Sequence, residues 1–358
     1  MAQQQSLDLQ VDRESLAGKG WVARALPPLG DGQVLFAVQK FALTANNISY
    51  ASTGNALGYW EFFPSGADGA GIVPAWGFVE AIETQHPDIA VGDRFYGYVP
   101  MASHFIAQPG SVSANGFTDA AEHRAERAVI YNQYQRVTGS DAAAEDFQAL
   151  IQPLFTTSFL IENFFRAADW YDASSVVMTS ASSKTALGLA LVCRNHSPQI
   201  RRIGLTSSGN VEFTQSTGFY DEVVAYDDLD RVNASAAVAV DFAGNRGLLA
   251  QIHAHWGDAL NYSMLVGATH VGAGGRDTVL SGPKPTFFFA PTAAQALIGD
   301  IGMTAFRDQL GQSFADFRAA FGQHMTIEQL DNPADIAAAY GEMLAGDVKP
   351  DRGLICRL

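Results

Sequence analysis

The sequence predicts an α/β protein in two parts, a mostly β module followed by a doubly wound parallel sheet. Two patterns carry this. Short apolar segments broken by Gly and Pro fill the first third, and continuous apolar runs alternate with helical stretches across residues 175–266.

In the first third, 34–40 (VLFAVQK), 77–83 and 94–100 have strand character, with turns at Pro27-Pro28, across 66–71 and at Val91-Gly92-Asp93. Residues 120–152 turn to Ala, Glu, Gln and Arg. This predicts a helical, solvent-facing connection with Tyr131 and Tyr134 on one face at i, i+3 spacing. Strands follow at 175–179 (SVVMT), 202–205, 222–225, 236–241 (AAVAVD) and 261–266, with helices at 184–194 (KTALGLALVCR), 212–217 and 247–255. Such strands belong to a parallel sheet covered on both faces. Helices at 306–321 and 335–345 and a strand at 352–358 (RGLICRL) complete the chain.

Composition narrows the function. The chain has 358 residues and a net charge of −15, against the basic surface that nucleic acid requires. Charged residues are 16% and hydrophobic ones 47%, with 23 Phe, 11 Tyr and 5 Trp, so a large core forms and an apolar substrate is favoured. No apolar run approaches the roughly 18 residues of a membrane span, and residues 1–13 lack the pattern of a signal peptide. Two cysteines build neither a disulfide framework nor a multi-Cys zinc site. The expectation is a soluble, acidic, cytoplasmic protein without membrane or nucleic-acid partners.

The segment from Val176 to Gly188 is a strand entering a helix through small hydroxyl residues. Free N–H groups, a helix dipole and side-chain donors at one point suit a phosphate. Where a dinucleotide fingerprint has glycines, this chain has Ser180, Lys184 and Ala186, and Lys184 offers a point charge to pyrophosphate. An ordinary strand-to-helix turn capped by Ser182 or Ser183 is the competing reading. A P-loop would require glycines that 180–184 lacks. The second strand ends in Thr206-Ser207-Ser208, without the acid that an NAD ribose wants, which favours the 2′-phosphorylated cofactor.

Metal chemistry has little support: no H-x-x-x-H pair occurs, and His253 and His255 point to different helix faces. No G-x-S-x-G marks a serine hydrolase. The asparagines and tyrosines of 44–50 and 58–64 can orient a carbonyl and donate a proton; as aromatic clusters they can equally be core.

The strings ANNISYA, YWEFFP, VPAWGFVE, GDRFYGYVP, LIQPLFTTSFLIENFF and SASSKTA, in this order, resemble the medium-chain dehydrogenase/reductase superfamily, in its zinc-free quinone and enoyl reductase branch. They are most similar to a family within it that carries an unknown-function label. The resemblance covers nearly the whole chain. It implies a GroES-like β-rich catalytic domain at 1–150 with a helical insertion near 120–150, a Rossmann nucleotide-binding domain at 151–290, and a return to the catalytic domain at 291–358. Asn47 to Tyr50 match the N-x-x-D turn of quinone reductases, with Tyr50 in place of Asp. Tyr59 falls where enoyl reductases carry a proton-donating Tyr, and Thr157 matches the Thr at the nicotinamide end.

By the same resemblance, Ser180, Ser182, Ser183, Lys184 and Thr185 match the pyrophosphate turn and Thr206, Ser207 and Ser208 the adenosine ribose site. Phe242 and Gly267 match the sheet edge beside the cofactor. The implied protein is a zinc-independent, NADP-dependent oxidoreductase acting on an apolar enone, quinone or ketone. Tyr59 or Tyr50 would protonate the product, Asn47 would orient the carbonyl, Tyr96, Tyr131 and Tyr134 would line the pocket, and a homodimer would join by sheet edges. The rival is a non-catalytic binding or scaffold protein whose dinucleotide site has decayed.

Overall fold

The computed structural model describes residues 4–139, 141–233, 235–266 and 280–358. Two compact units divide it, Met1–Leu150 with Thr326–Leu358, and Ile151–Met325. The return to the first unit thus comes at Thr326 and not at residue 291. Phe306, Phe314 and Phe317 explain why, since their rings pack on Phe159 and Phe155 of the second unit.

The first unit contains β1 (Gln5–Asp12), β2 (Gly18–Ala25), β3 (Val34–Leu43), α1 (Ala45–Ser52), α2 (Gly54–Leu57), β4 (Ala70–Ile72), β5 (Pro74–Thr84), β6 (Arg94–Pro100), β7 (His104–Ala107), β8 (Pro109–Ser113), β9 (Gly116–Asp119) and β10 (Gln133–Arg136). Helix α3 (Ala142–Ala167) leads into the second unit, which holds β11 (Ser175–Met178), α4 (Lys184–His196), β12 (Arg201–Thr206), α5 (Val211–Ser216), β13 (Glu222–Ala225), β14 (Ala237–Asp241), α6 (Arg246–Trp256), β15 (Leu260–Val266), β16 (Thr286–Phe288), α7 (Ala290–Ile301) and α8 (Met303–Phe321). Strand β17 (Thr326–Leu330), α9 (Pro333–Ala345) and β18 (Arg352–Cys356) return to the first.

The first unit is β-rich, with a small sheet ordered β2-β1-β4 and a larger one ordered β17-β18-β3-β5-β6-β10-β9-β8, β7 pairing β3. Its core is aromatic: Phe36 packs on Phe95, Phe105 and Phe117. The helical connection expected over 120–152 forms only from Ala142 onward. Before it lie two 3-10 turns and β10, which pairs with β6 and β9. Tyr134 is the reason. Its ring lies against Gly97 of β6, where a Cβ would come within 2.5 Å of it, stacks on Phe117 at 4.7 Å, and donates its hydroxyl proton to the Tyr98 carbonyl. Tyr134 is therefore core and not half of a solvent-facing pair.

A buried charge network pins the start of α3 within this unit. Lys40 Nζ meets Asp146 at 2.6 Å and Glu145 at 3.0 Å, and Arg94 grips Glu145 with two bonds of 3.0 Å. Both carboxylates lie near the helix N-terminus, where negative charge is favoured.

In the second unit six parallel strands run β13-β12-β11-β14-β15-β16. Every residue of β11 and β14 is buried, as expected of strands covered on both faces. Strand order reverses at β11, which lies between β12 and β14; at such a switch point the crevice beyond the strands' carboxyl ends takes the ligand. Helix α4 is buried from Ala186 to Cys193, and Gly188 lets it approach α3, because a Cβ there would meet Ser158 Oγ at 2.8 Å. A left-handed turn without glycine, Asp169 to Asp172 with φ of +44° to +60°, precedes β11. It is held by Trp170 stacked on Phe165 at 5.2 Å and Tyr171 stacked on Tyr262 at 4.5 Å.

The contact of Gly97 with Tyr134 makes a direct prediction. Gly97→Ala overpacks a closed core and lowers unfolding free energy by about 1–3 kcal/mol in denaturant titration. An unchanged midpoint would mean that Tyr134 does not fill that space.

Candidate functional site

At the carboxyl ends of β11, β12 and β14, one hydroxyl organises the backbone. Thr179 Oγ1 donates to Asp241 Oδ1 at 2.6 Å and accepts the N–H groups of Phe242 at 2.8 Å and Ala243 at 3.0 Å. The same Asp241 oxygen also accepts from Ala243 N–H at 3.0 Å and Gly244 N–H at 3.3 Å. Both side chains are buried, so this knot fixes the turns leaving β11 and β14.

The turn after β11 then reverses tightly. Ser180 has φ +47°, in the left-handed region, and its N–H donates to the Tyr226 hydroxyl at 3.0 Å. Ser183 N–H closes on the Ser180 carbonyl at 2.7 Å, and Ser183 Oγ caps α4 by accepting from Ala186 N–H at 3.3 Å. Ser182 Oγ accepts from Thr206 Oγ1 and from Asn210 Nδ2, both at 3.2 Å. Lys184 and Thr185 open α4, where the first N–H groups of a helix lack intrahelical acceptors.

The structure therefore brings Ser180, Ser182, Ser183, Lys184, Thr185 and Thr206 together within the second unit. Ser207 and Ser208 follow β12 and are exposed. Thr157 Oγ1 bonds back along its own helix to the Pro153 carbonyl at 3.4 Å. Phe242 is half-buried beside Thr179, and Gly267 lies outside the described residues. Thr179, Asn210 and Tyr226 were missed by sequence reasoning. The buried Thr at a strand end was a readable signal; Tyr226 and Asn210 reach the turn from other segments and carried none.

The first unit gathers phenols. Asn46 Nδ2 at 2.6 Å and Trp76 Nε1 at 3.1 Å both donate to the Tyr50 hydroxyl, and the Tyr59 and Tyr131 hydroxyls are 3.0 Å apart. The Tyr50 ring centre lies 4.7 Å from Tyr59 and 5.2 Å from Tyr98, and Tyr131 lies 4.7 Å from Tyr98. Burial pushes the Tyr50 phenol above its usual value, with Tyr59 adding to the shift. Burial likewise raises Tyr59, and lifts Tyr96, Tyr98 and Tyr131 well above the ordinary tyrosine range. The Tyr96 and Tyr98 hydroxyls find no hydrogen-bond partner among the described residues. Asn46 sits four residues before Tyr50 on α1, a spacing that the sequence did offer.

Asn47 takes a different part. Asn47 to Tyr50 lie in helix α1 and not in a turn, and Asn47 Oδ1 accepts the Thr44 N–H at 2.6 Å while its Nδ2 donates to the Pro74 carbonyl at 2.9 Å. Buried and engaged at both ends, it anchors the start of α1 to β5. Among the described residues no group of three or more His, Cys, Asp or Glu could hold a metal ion, and no helix is long and apolar enough to cross a membrane.

The β-rich unit and the six-stranded parallel unit define a class by fold, a GroES-like β-rich unit with a Rossmann unit, shared with solved oxidoreductase structures. Within it, the chain belongs to the family described as Protein of unknown function (DUF2855), matched over residues 41–349. Among solved structures it is similar to CurA from Vibrio vulnificus, at 12% identity, a TM-score of 0.62, and coverage of 99% of this chain and 98% of that one. CurA has also been solved with NADPH, at 11% identity, a TM-score of 0.62 and 98% of each chain. A putative NADPH:quinone reductase from Bacillus thuringiensis gives 11% identity and a TM-score of 0.59 over 99% of each chain. At such identities the likeness is one of fold. No curated protein matches the chain.

Two predictions follow from the local geometry. Replacing Ser180 by Gly relieves the left-handed backbone and raises stability by about 0.5–1 kcal/mol, read as an upward shift of the thermal midpoint. A downward shift would show that the Ser180 side chain outweighs its backbone strain. The phenols predict alkaline sensitivity. A tyrosine ionises near pH 10 when unfolded, whereas these stay protonated in the fold, so above that pH the unfolded chain binds fewer protons and stability falls as pH rises. Absorbance at about 295 nm should show these phenols ionising together with unfolding and not before it.

Proposed function

We propose that this protein is an NADPH-dependent oxidoreductase that reduces an apolar enone, quinone or ketone without zinc. The observation that carries the reading is the hydroxyl-lined turn at the switch point of the parallel sheet. Left-handed Ser180 supplies the tight reversal, α4 presents its first N–H groups, and Ser182, Thr206 and Asn210 form one polar cluster beside them. These features fit the pyrophosphate of a dinucleotide, with Lys184 adding a positive charge. The neutral end of β12, Thr206-Ser207-Ser208, suits a phosphorylated ribose. The NADPH-bound CurA supports the same cofactor by analogy of fold.

Bound NADPH supplies a hydride. The chain's part is to hold the cofactor and to deliver a proton to the reduced substrate's oxygen. Tyr50 suits that role best: its hydroxyl oxygen already accepts from Asn46 and Trp76, so its own proton is what it has to give, and both N–H groups remain to hold the oxygen after transfer. Tyr59 has the Tyr131 hydroxyl alone for this purpose. Asn47 fixes the helix that carries Tyr50. The low charged fraction and the abundance of aromatic residues favour an apolar substrate.

Titration of the purified protein with NADPH, followed by fluorescence, tests the first half. Saturable binding is expected, and none up to about 1 mM would favour a non-catalytic binding protein. Lys184→Ala should weaken NADPH binding by about 1–3 kcal/mol; an unaltered affinity would place Lys184 outside the site. With 2-cyclohexenone as substrate, Tyr50→Phe should lower kcat by about a hundredfold or more while NADPH affinity holds, the size expected for a lost general acid. A larger loss in Tyr59→Phe would reassign the proton.

A further inference from the structure

A cleft of about 560 Å³ opens within the first unit, and neither the phenol cluster nor the hydroxyl-lined turn accounts for it. Its size falls in the range of small-molecule sites. One wall is aromatic, made by Phe62, Phe63 and Phe105, with Phe63 edge-on to Phe105 at 5.6 Å. That wall is held rigid. The guanidinium of buried Arg124 lies over Phe63 at 4.6 Å and over Phe62 at 5.5 Å, and Arg124 is itself fixed by Asp119 at 3.3 Å. A preformed aromatic wall favours flat rings, because little ordering cost attends their binding.

The polar lining decides the rest of the ligand. Arg24 is tied to buried Asp8 through Nε at 2.6 Å and Nη2 at 3.4 Å, which cancels its charge and leaves Nη1 without a described partner. Gln33 Oε1 accepts the Gly30 N–H at 2.9 Å, so its amide hydrogens are what it can still offer. Glu122 also lines the cleft, and burial beside Arg124 holds His123 below its usual value and so neutral at pH 7. Donors are present without net positive charge. An oxygen acceptor is matched there, and an anion gains nothing.

We infer that this cleft binds a neutral, planar aromatic compound carrying a ring carbonyl, seated on Phe62 and Phe63 with its oxygen toward Arg24 and Gln33. The lining of the site comes wholly from the first unit. It is not remote from the phenols, since Phe62 also packs on Tyr131 at 5.6 Å and on Tyr59 at 6.2 Å. One ring is thus shared between the cleft and the groups assigned to proton delivery.

Coumarin is a suitable probe, and coumarin-3-carboxylate is its anionic counterpart. Calorimetric titration of the full chain without NADPH should give saturable one-to-one coumarin binding with a Kd of about 0.1–1 mM, and no tighter binding of the carboxylate. Ala121 lines the same cleft, so Ala121→Trp should fill it and raise the coumarin Kd at least about tenfold while NADPH affinity is retained. Gln33→Leu, which removes the amide donor together with the acceptor of the Gly30 N–H, should weaken coumarin about fivefold. Three results would overturn the inference: no saturation by about 5 mM, tenfold tighter binding of the carboxylate, or a folded Ala121→Trp variant that binds coumarin like the parent. Because coumarin is measured without NADPH, a failed reductase reading leaves this outcome readable.

Discussion

The Thr179 hydroxyl is the constraint on which the candidate cofactor turn depends. In an open α/β sheet the strands are held laterally by their ladders, but the segments leaving their carboxyl ends are not. Here Thr179 bonds Asp241 and the two N–H groups beyond it, so the exits of β11 and β14 become one body. Asp241 is buried and would be costly unpaired, yet three donors converge on one of its oxygens. Only with that junction fixed can Ser180 sit in a left-handed conformation, at a cost of about 1 kcal/mol, and turn the chain into α4.

The first unit is organised by a different physics. Its phenols are assembled by packing, and the packing leaves hydrogen bonding uneven: Tyr50 receives two donors, while the buried hydroxyls of Tyr96 and Tyr98 receive none among the described residues. An unpaired buried hydroxyl is expensive, so this arrangement is not the one that stability alone would select. The outcome is a set of neutral phenols, one of which has its oxygen already solvated by protein N–H groups. That is the state in which a weak acid can release a proton without waiting for water to reorganise.

The sequence was informative where burial is continuous. The predominantly apolar runs at β11, α4 and β14 read as parallel strands and a buried helix, and the structure has them within a residue or two. Legibility failed where tertiary contacts override composition. Residues 120–136 have helix-favouring Ala, Glu and Arg, yet Tyr134 becomes part of a strand because Gly97 leaves room for its ring. The turn from Asp169 to Asp172 has no glycine to announce it, and tertiary contacts hold it: aromatic stacking, the Asn261 amide on the Tyr171 carbonyl and the Trp170 indole on Ser197. At the candidate site the hydroxyl residues were readable as a string. Asn47 was readable as a polar residue in the right place, but not that both ends of its amide would be used in fastening α1 to β5.

A protein of net charge −15 must attract a polyanionic cofactor locally if it binds one at all. Screening makes this feasible, because exposed carboxylates beyond about 8–10 Å contribute little at physiological ionic strength. What counts is then the immediate shell, and residues 180–186 contain no acid and one lysine, at the positive end of a helix. A glycine-rich turn solves the same problem by letting backbone N–H groups close on phosphate. Here that close approach is limited by side chains, and hydroxyls together with the Asn210 amide stand where bare backbone would otherwise be. Such a turn would bind through side-chain donors that rotate, so its affinity would depend on neighbours that hold them, and Ser182 is held by both Thr206 and Asn210. In this turn the absence of glycine goes together with the polar side chains of Thr206 and Asn210 around it, and the two have to be judged together.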